Sequence, residues 1–463
     1  MDSEAYELSV NSNLIRIAAG SEQGIIYALT TLVQLMENGT VKTCRVKDEP
    51  RYSHRGLSMD CARHFFRADE VKKVIEEISL AKMNVFHWHL TDDQGWRIES
   101  RKFPLLHTTG SEYYTQEEIK EICEFAKIRG VEIIPEIDMP GHVSSILAAY
   151  PDLSCSHKQV SLAKTGGIFP VILCAGNDKT YEFLNELWQE IFELFPGDRF
   201  HTGGDEAPKK EWKACPCCTK KMQDMGYTDY EQLQGYFASR INEIFKANGK
   251  TAVFWNETLR SVSNLENAEI QYWTLQHRDS MEKYADTKQK WIYSDMFELY
   301  FDYPYSMTNL KKVYETVPHL GMRQVDKSDG LQGMEAAIWA EHIQNEERLE
   351  NLLFPRVYAL AEILWASDND YQEFEARLAE NIKSDLHGNI AYTSRDWWTP
   401  EGQARQMEAF AYMKSMNDGM SEETKAETVE STAPNREFGE VFMTKFFQPE
   451  DLPILMAGMN QKA

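Results

Sequence analysis

From Arg55 onward the chain alternates two patterns of apolar positions. Short runs rich in β-branched and aromatic residues, "GLSMDC", "NVFHWHL", "VEIIPEID", "RFHTGGDE", "TAVFWNE", "IQYWT", "KWIYSDM" and "GMEAAIWAE", have the near-continuous apolar character of strands covered on both faces. Between them, stretches such as "ADEVKKVIEEISLAKM", "TQEEIKEICEFAKIRG" and "DKTYEFLNELWQEIFELF" repeat their apolar residues every three or four positions, which puts those residues on one face of a helix. Eight strands separated by helices predict an α/β fold closed into a parallel (β/α)8, or TIM, barrel rather than an open doubly wound sheet.

The two ends of the chain follow other patterns. Within residues 1–50, "YELSV" and "LIRIAA" predict strands and "EQGIIYALTTLVQLM" an amphipathic helix, making a small α/β cap. Residues 51–400 contain the barrel, and 401–463 form a third part of different character. There, Asn417 to Asn435 are polar and acidic, the composition of a linker. The following "FGEVFMTKFFQPEDLPILMAGM" is apolar enough to dock, either on this barrel or on a second copy in a homo-oligomer.

Composition removes several classes of partner. The 463 residues carry a formal net charge of −24, which offers no long-range attraction to nucleic acid or to an anionic membrane. No run of about 18 apolar residues is present, and "MDSEAYELSV" lacks the basic and apolar regions of a signal peptide, so the sequence as it stands favours the cytoplasm. The eight cysteines are thinly spread except for "CPCC" at 215–218. A second Cys or His pair at finger-like spacing is missing, so a structural or incidental role is favoured over a metal site, and no cofactor is expected.

Chemistry-bearing residues gather at the ends of the predicted strands: Asp60 with Arg63, Asp92 with Asp93, Glu136 and Asp138 with His142, Asp205 with Glu206, then Glu257, Asp295 and Glu341. The C-terminal ends of barrel strands are where such folds place their active sites. His87 and His89 lie two apart on one strand, share a face with Val85, and are read as hydrogen-bonded core histidines rather than metal ligands. In "IPEIDMPGH" a Pro-Gly turn presents His142, which suits a residue that holds or relays a proton for a nearby carboxylic acid. "HTGGDEAP" sets Asp205 beside Glu206 after two glycines, and neighbours on one strand cannot easily flank a bond in the manner of ordinary paired carboxylates.

Five of these segments, "RGLSMDCARHFF", "HWHLTDDQGWRIE", "IPEIDMPGH", "HTGGDEA" and "GMEAAIWAE", resemble the signature segments of β-N-acetylhexosaminidases of glycoside hydrolase family 20, in the family's order and over about Tyr6 to Trp398. The resemblance implies that the nucleophile is the substrate's own 2-acetamido oxygen, giving an oxazolinium intermediate and overall retention. Glu206 then matches the general acid and base, Asp205 the carboxylate that orients the acetamido N–H, and Asp92 with His142 the pair behind the acid. Arg55 matches an arginine gripping the sugar's 3- and 4-hydroxyls. Tyr300 resembles the donor to the acetamido oxygen, and Asp302 and Glu341 resemble ligands of sugar hydroxyls. Trp339 resembles the aromatic floor under the terminal sugar and Trp255 another wall of the acetamido pocket, with Trp273 and Tyr236 as weaker candidates.

The expectation is an exo-β-N-acetylhexosaminidase releasing terminal N-acetylglucosamine or N-acetylgalactosamine from oligosaccharides or glycoconjugates, with neither metal nor organic cofactor. Its rivals are a lacto-N-biosidase-like enzyme releasing a disaccharide and a non-catalytic sugar-binding barrel. Two features depart from the family: the N-terminal α/β unit is shorter than usual, and the region after about Glu401 matches nothing familiar.

Overall fold

A computed structural model describes residues 4–463 apart from 111, 263–264, 276–277, 367–369, 384–387, 417–424, 426–440, 442–443, 448–450 and 452–463. Eight parallel strands close into a barrel in chain order: His54–Asp60, Val85–His89, Glu132–Glu136, Arg199–His201, Thr251–Trp255, Glu269–Tyr272, Trp291–Tyr293 and Leu331–Ile338, the last pairing with the first. Each lies within or overlaps one of the eight apolar runs. The three helical patterns form helices at Ala68–Leu80, Gln116–Lys127 and Asp178–Leu194. Thr115 and Glu118 cap the second of them reciprocally, satisfying amide N–H groups that a helix start leaves unpaired. The buried faces of these helices pack Val71, Ile75, Ile119, Leu184 and Trp188 into the core against the outer faces of the strands.

Before the barrel, Tyr6–Val10 pairs antiparallel with both Ile15–Ala19 and Cys44–Asp48, and helix Glu22–Gln34 packs on that sheet. The strand Cys44–Asp48 escapes the sequence reading because "CRVKD" alternates half-buried and exposed positions and carries little apolar signal. Buried polar contacts fasten the unit to the barrel: Arg55 donates to Glu4, to the hydroxyl of Tyr27 and to the carbonyls of Tyr52 and Lys82. After the barrel, helix Gly402–Ser415 returns toward the mouth. Phe446 packs on Phe297 and Tyr303 with ring centroids 5.4 and 4.7 Å apart, so this part of the apolar tail docks on its own barrel. The acidic linker lies outside the described residues, except Lys425.

The inside of the barrel is polar. A chain of buried side chains climbs from its foot to its mouth: His54 Nε2 lies 2.8 Å from Glu335, Glu335 2.8 Å from His87, and His87 3.1 Å from Glu136. Glu136 pairs with His89, which lies 2.9 Å from Asp92. His87 and His89 are therefore hydrogen-bonded core residues. Although burial opposes the charged forms, Glu335 and Glu136 push His87 up to about 9 and Glu136 holds His89 well above the usual imidazole range. Against its own burial, the charge of His201 and then of His89 keeps Glu136 well below the ordinary carboxylate range.

Candidate active site

The ladder ends at the mouth of the barrel. Arg63 Nη2 lies 2.8 Å from Asp92 Oδ2, and His142 Nδ1 lies 3.2 Å from Asp92 Oδ1 and 3.4 Å from Asp93. The far nitrogen of the same ring, Nε2, is 3.3 Å from Glu206 Oε2. Burial works against a charged His142, yet the adjacent Asp92 carboxylate holds it well above the ordinary range. Burial likewise opposes ionisation of Asp92, but Arg63 and His142 keep its pKa far down. A fixed carboxylate thus orients an imidazolium whose free edge faces Glu206.

The strand that leads to "GGDEA" stops at His201. Gly203 (φ 66°), Gly204 (φ 100°) and Glu206 (φ 45°) all take left-handed conformations, so the strand rule of alternating faces does not govern Asp205 and Glu206. Gly203 is also required by space, since a Cβ there would sit 1.6 Å from Asp138 Oδ1. The bend places one ligating atom each of His142, Asp205 and Glu206 within 4.8 Å of one another while giving the two acids different surroundings. The Glu206 side chain is 22% exposed, and its backbone N–H donates to Glu257 Oε2 at 3.2 Å. Asp205 Oδ1 is buried without a hydrogen-bond partner among the described residues. Burial, reinforced by the charge of Glu206 and opposed by His142, pushes the Asp205 carboxyl up to about 7. The same burial, with Asp205 and Glu206 adding to it, lifts Glu257 to about 8.

Rings enclose the space above. Trp273 stacks on Tyr300 (6.2 Å, 11°), Tyr300 meets Trp339 nearly edge-on (5.8 Å, 63°), and Trp339 lies 6.1 Å from Trp255. Trp255 is buried and donates its indole N–H to Glu136 at 3.0 Å. The Nε1 of Trp273 is buried without a hydrogen-bond partner among the described residues. One side of the mouth holds Asp302, Trp339, Glu341 and Tyr412, which line a cavity of about 180 Å³. The Tyr412 hydroxyl donates to Asp302 at 3.1 Å, and burial, with Glu341 adding, pushes Asp302 up to about 7.

The structure corrects Arg55. This residue lies near the N-terminal end of the first barrel strand, the end opposite the mouth, and all its guanidinium donors are taken by Glu4, Tyr27 and two carbonyls. An arginine that does lie at the mouth is Arg63, just beyond the strand's C-terminal end. It lies 3.9 Å from Glu341 with its guanidinium 5.1 Å from the centre of the Trp339 ring. Tyr236 also lies away from the mouth, edge-on to Tyr181 on the outer helix Tyr230–Ala247. Glu206, Asp205, His142, Asp92, Trp255, Tyr300, Asp302, Trp339 and Glu341 do converge. Sequence reasoning gave no site role to Glu257 or Asp138, although both stand among the strand-end acids, and it missed Tyr412 altogether.

A parallel barrel whose mouth combines an imidazole-backed carboxylic acid, a second buried carboxylate and a wall of aromatic rings defines the class of carbohydrate-cleaving barrel hydrolases. Within that class the chain belongs to glycosyl hydrolase family 20: residues 52–368 match its catalytic domain and residues 1–49 its domain 2. A β-hexosaminidase of Porphyromonas gingivalis is 33% identical over 422 residues, covering 83% of this chain and 54% of that one. The chain therefore spans about half the length of that relative. The crystal structure of a β-N-acetylhexosaminidase from Bacteroides fragilis superposes with a TM-score of 0.76 at 30% identity, covering 85% of this chain and 84% of that one. An exo-β-N-acetylglucosaminidase from Vibrio harveyi, solved in complex with N-acetylglucosamine, gives 0.75 at 29%, covering 85% and 68%.

Proposed function

We propose that the protein is an exo-β-N-acetylhexosaminidase that removes terminal N-acetylglucosamine or N-acetylgalactosamine with retention, using the substrate's acetamido group as nucleophile. The observation that carries this reading is the left-handed bend at Gly203–Glu206, which gives two adjacent carboxylates separate targets. Glu206, the more open of the two and faced by His142, protonates the leaving oxygen and then takes a proton from the incoming water. Asp205, whose inner oxygen has no hydrogen-bond partner among the described residues, accepts the acetamido N–H and stabilises the positive charge that grows as the ring closes. Its raised pKa suits a group whose charge is best tolerated once that cation is beside it.

Trp273, Tyr300, Trp339 and Trp255 supply the aromatic wall for one acetamido sugar, with Tyr300 donating to the acetamido oxygen. Arg63, Asp302 and Glu341 take the hydroxyls, the first in place of the arginine expected at 55. The reaction is assigned to the barrel within 51–400, residues 1–50 forming a supporting unit and 401–463 contributing Tyr412 to the rim.

The test is a series of aryl glycosides whose N-acetyl methyl carries zero to three fluorines. Each fluorine weakens the amide oxygen as a nucleophile, so kcat/KM should fall steeply along the series. A flat series, with the glycosides still hydrolysed, would refute participation by the substrate. Absence of turnover with measurable binding would favour the sugar-binding rival.

A further inference from the structure

We infer that Cys155, Cys174, Cys215 and Cys218 form a tetrathiolate site for one zinc ion that staples together the loops following the third and fourth barrel strands. Sequence spacing gives only Cys215 and Cys218, three positions apart in "CPCC". The fold brings the other two from separate points on the loop that follows strand Glu132–Glu136. Cys155 lies just after the short 3-10 turn Pro151–Leu153, and Cys174 lies before helix Asp178–Leu194.

The sulfur positions fit a metal better than disulfides. Cys155 Sγ lies 3.7 Å from Cys218 Sγ, which lies 3.7 Å from Cys174 Sγ, which in turn lies 3.7 Å from Cys215 Sγ. All four fall within 4.8 Å of one another. Sulfurs held 2.3 Å from a tetrahedral centre are about 3.8 Å apart. In a disulfide each sulfur has one partner at about 2.05 Å. Here Cys174 and Cys218 are each equidistant from two others.

The surroundings favour thiolates. Cys215 caps helix Pro216–Met225 and Cys218 lies in its first turn, at the positive end of the helix dipole. Cys174, Cys215 and Cys218 are buried, while Cys217, pointing outward, is exposed. Gly176 permits the close approach of the two loops, since a Cβ there would sit 2.3 Å from the Cys217 carbonyl carbon. Within the first loop Cys174 N–H donates to Leu153 O at 2.8 Å, and between the two loops Trp212 Nε1 donates to Leu173 O at 2.9 Å. Four soft sulfurs in a compact tetrahedron select zinc or iron among divalent ions. Only one Cys-x-x-Cys turn is present, and the remaining ligands come singly, so the site lacks the paired turns of an iron-type centre; zinc is the assignment. Binding releases the thiol protons and leaves the ion bound to four thiolates, with no change of oxidation state.

The second loop of the staple also carries Glu206, nine positions before Cys215. The experiment uses the full chain, produced with zinc in the medium and purified without a metal column. Elemental analysis should find about one zinc per chain, released by a mercurial thiol reagent. Cobalt substitution should give the intense sulfur-to-metal absorption of a tetrahedral thiolate site. Cys217→Ser should keep the zinc, and Cys218→Ser should lose it. Should Cys218→Ser fail to fold, the cobalt spectrum and mercurial release of the unmodified chain decide. Iron in place of zinc, negligible metal, or a thiol titration of the denatured chain that finds only four of the eight cysteines free would overturn the assignment.

Discussion

Replacing Asp205 by asparagine should make the enzyme both far less active and more heat-resistant in alkaline solution. The folded protein holds the Asp205 proton up to about pH 7, whereas an unfolded aspartate releases it near 3.9. Between those values the native state binds more protons than the unfolded state, so this carboxyl's contribution to stability falls as pH rises and is most adverse above 7. Three pKa units at 1.36 kcal/mol each set a ceiling of about 4 kcal/mol. Screening by water at the open mouth reduces the expected cost to roughly 1–2 kcal/mol. Asparagine has the same shape and no charge to desolvate. The melting temperature of Asp205→Asn should exceed that of the parent by roughly 1–4 °C near pH 8, and the gap should close toward about pH 4, where both side chains are neutral. Activity on an activated aryl N-acetylglucosaminide should meanwhile drop by roughly 2–4 kcal/mol of barrier, or about 30- to 1000-fold. Scanning calorimetry at the two pH values, at matched ionic strength, checks the first half and initial rates the second. A gap of equal size at both pH values, or a variant less stable near pH 8, would show that Asp205 is not held in a strained charge state.

The reassigned arginine separates two variants: Arg63→Ala should cost roughly 1.5–3 kcal/mol, about 10- to 150-fold in kcat/KM, while Arg55→Met should lower the melting temperature and leave kcat/KM of the folded enzyme unchanged. Steady-state rates below melting decide this, and the opposite pattern would restore Arg55 to the sugar. His142 pulls the Asp205 pKa down, so His142→Gln should move the acid limb of the kcat/KM profile upward by about one unit from its place near pH 7. An unmoved limb would mean that a group other than Asp205 sets it.

The barrel was legible because each strand is an apolar run and each helix a three-to-four repeat, two signals that survive without any knowledge of contacts. The mouth was legible in "HWHLTDDQGW" and "HTGGDEA", where acids crowd the end of a strand. Arg55 was misplaced although the needed signal was present: it precedes the apolar run "GLSMDC", and a residue ahead of such a run belongs to the end of the barrel remote from the chemistry. Arg63, beyond the run, is the one that lies at the mouth beside Asp92. Tyr412 could not be read, since it reaches Asp302 across 110 residues from a helix with no motif. The thiol cluster was hidden for the same reason: Cys155 and Cys174 are far in sequence from "CPCC" and only the folded loops bring them to it.

The ladder of histidines and carboxylates inside the barrel has a bearing on how the sheet finds its alignment. A purely aliphatic interior tolerates a strand displaced along its neighbour, because one branched side chain substitutes for another. Here His87 must meet Glu335 from the last strand and Glu136 from the third, and His201 from the fourth must meet Glu136 as well. A slip of one residue turns each of these groups out of the lumen, and a slip of two carries it past its partner, stranding a charge in a dry interior at a cost of about 3–5 kcal/mol per broken pair. The ladder therefore works as a lock with one key position: the native alignment is favoured over its displaced neighbours, and the acid at the top is held at one height.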